Sequence, residues 1–266
     1  MKLKDCHNFN DFRKLAKKKL PSPIFHYIDG AADDEITYNR NTSAFNDIDL
    51  VPNVLRGVEN IDLSTTIFGK KIDFPLFLGA TSMNRLYHHQ GERATAKAAE
   101  KMGTMFGIST MATTSIEEIG NLTKGPKLFQ LYIHKDRGLT DNLIERCEQA
   151  NFDAMCLTVD TVVAGNRERD HRTGFSTPPR LTLKSLLSFA LHPEWSLNYL
   201  FREKFKLANI VHMTEKGSSI DRSVIGYINE QFDPSMNWKD AEYCVKKWKK
   251  PFALKGVMSV GDAKRA

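Results

Sequence analysis

From Phe74 onward the chain repeats one pattern, a short apolar run followed by a longer stretch whose apolar residues recur at helical spacing. Residues 74–79 form a compact apolar run, which predicts a strand buried on both faces. The Ala-rich stretch 92–102 predicts a helix that stops at Gly103. Residues 105–109 read as a second strand. Ser115 and Glu118 have capping-box spacing and predict a short helix. A third strand over 128–133, a helix over 139–150 and a fourth strand over 154–160 follow. Much later come a helix over 238–249, a fifth strand over 252–256 and a new helix start at Ser259. Ahead of this series, 8–20 predicts a basic helix ending at Pro21, and 23–35 a helical or turn segment. Two β-branched stretches around Gly69, within 61–72, predict a hairpin.

Strands alternating with helices argue a parallel β/α architecture, either a doubly wound sheet or a (β/α)8 barrel. No GxGxxG follows any strand, which disfavours a dinucleotide fold. Polar residues sit at the C-terminal ends of several strands: Thr81, Ser109, Gln130 with Tyr132, Thr158 with Asp160, and Lys255. A barrel builds its site from many strand ends at one face, whereas a doubly wound sheet concentrates it at one switch point. The fold class is therefore read as α/β, a (β/α)8 TIM barrel with about five of the eight β/α units present. The expected organisation is an N-terminal helical and hairpin preamble over 1–73, four β/α units over 74–172, a long insertion over 173–237 and a fifth unit over 238–266. On this count the barrel is incomplete, and three further β/α units are expected beyond Ala266.

The insertion is too long for a simple connection. Its stretch 181–210 mixes Leu186, Leu187, Phe189, Trp195 and Tyr199 with Lys184, Arg202, Lys204 and Lys206. That composition fits an interfacial membrane segment, and equally a lid packed on the barrel or on a neighbouring subunit. Hydrophobic content of 41% and charged content of 26% exclude a disordered chain. The net charge of +6, gathered in short lysine clusters such as Lys17 to Lys19, reads first as solvated helix faces, with attraction of an anionic substrate or an anionic membrane surface as the sharper alternatives. Nucleic acid is not expected, because no zinc-finger spacing or RNA-binding aromatic motif accompanies the charge. Cys6, Cys147, Cys156 and Cys244 are scattered without a CxxC pair, so neither a metal site nor a disulfide framework is predicted, and a reducing compartment follows. Neither a signal peptide nor a transmembrane run is evident.

Five short motifs carry more specific information: His26-Tyr27-Ile28-Asp29-Gly30, Phe129-Gln130-Leu131-Tyr132, Leu157-Thr158-Val159-Asp160, Gly165-Asn166-Arg167-Glu168 and Leu254-Lys255-Gly256. In this order and spacing the chain resembles the FMN-dependent 2-hydroxy-acid dehydrogenases, which include glycolate oxidases and bacterial respiratory L-lactate dehydrogenases. The resemblance implies a TIM barrel, an FMN cofactor, and oxidation of a small L-2-hydroxy acid, most closely L-lactate. It implies that Arg167 grips the substrate carboxylate and that Tyr27 and Tyr132 contact substrate. Asp160 would be a catalytic partner of a histidine base, with Tyr132 also at the reacting oxygen. FMN would be held by Ala80, Thr81, Ser82, Ser109, Gln130, Thr158 and Lys255. A guanidinium suits a carboxylate because two parallel N–H bonds fix its orientation. Lys255 can place positive charge beside a reduced flavin.

The respiratory relatives imply a quinone or cytochrome acceptor, a cytoplasmic location peripheral to the inner face of the cell membrane, and a homo-oligomer in the complete protein. There are departures from the family pattern. Ala80 and Val162 stand where proline is usual, and Met111 stands where glycolate oxidases carry tryptophan, which puts glycolate specificity in doubt. The family's Ser-Asn-His-Gly-Gly-Arg segment, which supplies the base and a second carboxylate-binding arginine, does not occur in these residues. A catalytically inactive chain and an oxygen-using 2-hydroxy-acid oxidase are the alternatives.

Overall fold

The computed structural model describes residues 2–161, 165–175, 182–210 and 233–266. Val162, and residues 176–181 and 211–232 of the insertion, lie outside the described residues. Helix α1 (Phe9–Lys19) starts on Asn8, whose side chain accepts the Asp11 amide at 3.0 Å. Helix α2 (Ser22–Asp29) carries Pro23 in its first turn, where the missing N–H costs nothing. Helix α3 (Ile36–Ser43) follows, then the antiparallel hairpin β1 (Thr65–Ile67) and β2 (Lys70–Ile72). Gly69 turns that hairpin at φ +75°, as the β-branched flanks predict. The series continues with β3 (Leu78–Thr81), α4 (Glu92–Lys101), β4 (Phe106–Ser109), α5 (Ile116–Leu122), β5 (Lys127–Leu131), α6 (Arg137–Gln149) and β6 (Ala154–Thr158). Then come α7 (Glu168–Thr173), α8 (Leu183–Ala190), α9 (Pro193–Phe201), α10 (Trp238–Trp248), β7 (Phe252–Lys255) and α11 (Val260–Arg265).

The chain divides into two compact units, Met1–Asp62 with Gly165–Phe201, and Leu63–Ala164 with Arg202–Ala266. The second holds a five-stranded parallel sheet in the order β3-β4-β5-β6-β7. Spatial order equals chain order with no reversal, so the doubly wound alternative is excluded. Leu128, Ala154 and Cys156 share one face and pack with Met105 and with Ile72 of the hairpin, against which Ile67 and Phe68 also lie. Phe129, Leu131, Met155 and Leu157 alternate to the other face and are fully buried there. Phe129 meets Phe152 edge to face, with ring centroids 6.2 Å apart.

Two expectations are corrected. The first barrel strand begins at Leu78, not Phe74, and is not buried on both faces. Residues 73–77 are spent on a bend, in which the Asp73 amide bonds the Gly103 carbonyl at 2.8 Å. β3 is an edge strand, so an apolar run there does not imply two covered faces. The capping box at Ser115 is only half made. Its hydroxyl accepts the Glu118 amide at 3.1 Å, but the Glu118 carboxylate is taken by Arg93 of α4.

The first unit is built around α2. Ile24 and Phe25 are buried, as are Leu15 and Leu20 from α1 and its end. Asp29 is clamped by Arg13 of α1 and Arg169 of α7. Burial alone would raise that carboxyl, but the two guanidiniums outweigh it and hold Asp29 below the usual carboxylate range. Helices α8 and α9 are joined by aromatic stacking, with Trp195 stacked on both Phe189 and Tyr199.

Candidate active site

Three polar side chains form a row across adjacent strand ends of the second unit. Ser109 closes β4 and lies in register with Gln130 of β5. Its hydroxyl donates to Gln130 Oε1 at 2.9 Å, and Gln130 Nε2 donates to the Thr158 hydroxyl at the end of β6. All three are buried. Thr158 is in register with Lys255, the last residue of β7. Lys255 Nζ lies 3.7 Å from Asp160 Oδ1. Gly256, at φ +105°, makes that approach possible, because a Cβ there would fall 2.5 Å from the Asp160 Cβ. Tyr132 follows β5, and its amide bonds the Thr110 hydroxyl, which in turn donates to the Gln130 carbonyl at 2.8 Å.

Ala80 and Thr81 end β3, and Ser82 starts the loop beyond it. The Thr81 hydroxyl donates to Asn84 Oδ1 at 3.1 Å, and Asn84 Nδ2 returns a bond to the Thr81 carbonyl at 3.2 Å. The Met83 amide donates to the Met111 carbonyl at 3.0 Å, joining the loops after β3 and β4.

In the first unit the two motifs around Tyr27 and Arg167 meet, although about 140 residues separate them. Arg167 Nη2 donates to the Tyr27 carbonyl, and the guanidinium carbon lies 4.9 Å from the centre of the Tyr27 ring. The Tyr27 ring also stacks on Phe175, with centroids 4.2 Å apart. Arg167 Nε also pairs with Asp170 at 2.6 Å. Burial raises the Asp170 carboxyl despite this ion pair. Asn166 fixes the neighbouring loop, its Nδ2 donating to Asp33 Oδ1 at 3.0 Å while its carbonyl accepts the Asp33 amide at 2.9 Å.

The motifs thus fall into two sets. Tyr27 and Arg167 belong to the first unit. Thr81, Ser109, Gln130, Tyr132, Thr158, Asp160 and Lys255 belong to the second. Sequence reasoning missed Asn209 and Arg85, both buried in the second unit. Asn209 accepts the Ile116 amide at 2.9 Å and donates to the Ser109 carbonyl at 3.4 Å. Arg85 donates to the carbonyls of Glu203 and Lys204. Together they seat residues 203–210 on the loops after β3 and β4. Asn209 interrupts an apolar stretch of the insertion, Leu207 to Ile210, and that polar break was the available signal.

Successive parallel β/α units with ligand-type polar groups collected at their C-terminal ends define a barrel enzyme. The match to the model of FMN-dependent dehydrogenases runs over residues 16–266, and the chain belongs to that family. It is 38% identical over 257 residues to an L-lactate dehydrogenase of Vibrio parahaemolyticus, covering 96% of this chain and 67% of that protein. Identity to an L-lactate dehydrogenase of Allorhizobium ampelinum is 35% over the same shares. The fold superposes on the monotopic membrane protein (S)-mandelate dehydrogenase with a TM-score of 0.91 at 31% identity, over 98% of this chain and 69% of that one. A lactate oxidase of Pediococcus acidilactici gives 0.80 at 27% identity, over 98% and 63%. The chain spans about two thirds of the length of the curated relatives it matches.

The strand-end residues fit the family's cofactor. Ser109, Gln130 and Thr158 are a buried set of neutral donors and acceptors, the chemistry that the amide-like edge of an isoalloxazine requires. Lys255 adds one cation at the same level of the sheet.

Proposed function

We propose that this chain belongs to an enzyme that oxidises an L-2-hydroxy acid, L-lactate to pyruvate, with FMN as cofactor. The observation that carries the reading is the buried Ser109–Gln130–Thr158 row beside Lys255, in a chain 38% identical to an L-lactate dehydrogenase. Bound FMN would supply the two-electron acceptor. Ala80, Thr81 and Ser82 would border it from the β3 end, and Lys255 would balance the negative charge gained on reduction. Arg167 is assigned to the substrate carboxylate. In the structure its Nε is held by Asp170, so a bound carboxylate competes with that side chain. Tyr27 and Tyr132 are assigned to the substrate, as phenols that donate to its carboxylate or its reacting oxygen. Asp160 is assigned to orient and charge-balance a histidine base, the general work of a carboxylate behind an imidazole.

The acceptor is proposed to be a quinone or cytochrome of the respiratory chain, with the protein on the cytoplasmic face of the membrane and homo-oligomeric. Among the described residues no helix is long and apolar enough to cross a membrane. Exposed leucines on α8 and α9, and a structural relative that is a monotopic membrane protein, support peripheral attachment. The segments 1–73, 74–172, 173–237 and 238–266 remain our functional division: preamble, four barrel units, insertion and fifth unit.

The test is to purify the protein with its flavin spectrum monitored, then assay L-lactate with a quinone analogue and with oxygen. Flavin bleaching by L-lactate with quinone reduction is expected. Oxygen consumption instead would favour an oxidase, as the similarity to a lactate oxidase suggests. Flavin uptake without bleaching would mark the chain as a binding part that lacks the base. Failure to take up flavin at all would overturn the proposal.

A further inference from the structure

Glu92 is the first residue of α4 and is fully buried, yet its four hydrogen-bond partners are all neutral. Oε1 accepts the Asn84 amide at 3.1 Å and the Thr113 amide at 2.9 Å. Oε2 accepts the hydroxyls of Thr113 at 2.6 Å and Thr114 at 3.0 Å. A buried carboxylate is costly unless its lone pairs are satisfied, and here the donors and the N-terminal end of α4 together answer that cost. These partners come from two loops. Asn84 belongs to the loop after β3 and grips Thr81 through two bonds of its side chain. Thr113 and Thr114 belong to the loop after β4, which also carries Met111. The Thr113 hydroxyl accepts the Arg85 amide at 3.1 Å, so the two loops are stitched at a second point.

We propose that Glu92 is a positioning residue for the flavin site, which holds Thr81 through Asn84 and sets the spacing between the loops after β3 and β4. The inference rests on the flavin reading above. Glu92 is assigned no contact with flavin or substrate, and it acts through two backbone amides for which it is the side-chain acceptor found among the described residues. The arrangement of its partners gives a sharp chemical test. Both backbone amides converge on one carboxylate oxygen and both hydroxyls on the other. A glutamine can therefore keep its amide oxygen on the backbone donors and turn its NH2 toward hydroxyls, which accept as readily as they donate. Alanine keeps neither arm.

The experiment measures FMN dissociation by flavin fluorescence, together with visible circular dichroism of bound flavin, for wild type, Glu92→Ala, Glu92→Gln and Asn84→Ala. Glu92→Ala is expected to weaken FMN binding about tenfold or more and to alter the flavin dichroism, while Glu92→Gln stays within a factor of about three of wild type. Asn84→Ala changes a half-buried side chain but keeps the backbone amide on Glu92. It tests the link to Thr81 even where Glu92→Ala fails to fold, and is expected to weaken binding about threefold or more. A folded Glu92→Ala protein with unchanged affinity and dichroism, or an unchanged Asn84→Ala protein, overturns the positioning role. A wild-type protein that takes up no FMN overturns the flavin reading instead, and so the two failures are distinguishable.

Discussion

His134 lies three residues beyond the end of β5, almost wholly buried, and its Nδ1 finds no partner among the described residues. Burial pushes its imidazole down to about 4 from an ordinary 6.5, against the attraction of Asp136 and with a small contribution from Arg137. Between those two values the unfolded chain binds a proton that the folded chain refuses. Stability therefore rises with pH through this window, and it is lost as pH falls from 6.5 toward 4. The full effect is about 3 kcal/mol, of which about 2 kcal/mol falls between pH 7 and pH 5. Urea denaturation at these two pH values checks it. His134→Leu should flatten the difference by about that amount, and an equal slope in wild type and variant would refute the assignment. Nothing in the sequence marked His134 out, since a histidine between Ile133 and Lys135 reads as exposed as easily as buried. Arg167 and Tyr27 were legible only through their motifs, because the stacking that joins them spans distant segments. Glu92 looked like an ordinary helix-start acid, and its four partners are visible only in three dimensions.

At the scale of elements, periodicity carried most of the information. β4, β5, β6, α4, α6 and α10 fall within a residue or two of their predicted spans, because each is a buried strand or an amphipathic helix with one dominant period. α3 was missed because Ile36-Thr37-Tyr38-Asn39-Arg40-Asn41 has no apolar stripe and no buried residue. Composition showed that the insertion was apolar and basic but did not show its form. The structure resolves one part of it into α8 and α9. Leu183 and Leu187 of α8 and Leu191, which caps its end, recur at helical spacing and are 87%, 61% and 69% exposed, and Leu200 and Phe201 at the end of α9 are 70% and 80% exposed. Single exposed leucines are ordinary, but a stripe of this kind beside Lys184 is the pattern expected of the peripheral attachment proposed above. Replacing Leu187 and Leu191 together with glutamate should lower binding to phosphatidylserine-containing vesicles about tenfold or more, since each buried leucine contributes about 1.5–3 kcal/mol. Vesicle sedimentation measures this. Equal sedimentation of wild type and variant would assign the stripe to a protein contact instead.

On the scale of the whole molecule, the parallel sheet has two ends, and they differ chemically. β7 is Phe252-Ala253-Leu254-Lys255, preceded by Pro251 and closed by a lysine, the residues that natural edges use against strand addition. β3 is Leu78-Gly79-Ala80-Thr81, without a charge or a proline, and the approach to it leaves Leu76 55% exposed. Among the described residues β3 pairs with β4 alone. A net charge of +6 keeps copies of the chain apart at low ionic strength, and salt screens that repulsion beyond about 10 Å at 0.1 M. The 266-residue chain is therefore expected to self-associate, more strongly as salt is raised, with β3 as the contact. Gly79 supplies the means to test the edge itself. A Cβ at this position meets no atom within 4 Å, so a lysine fits without strain and places charge on the open strand. Sedimentation velocity at low and high salt should show wild type shifting to larger species and Gly79→Lys shifting less. Wild type that stays monomeric at both salts would sink the prediction of association. Wild type and Gly79→Lys that associate alike would move the contact away from β3, toward β7 or the exposed helices α8 and α9.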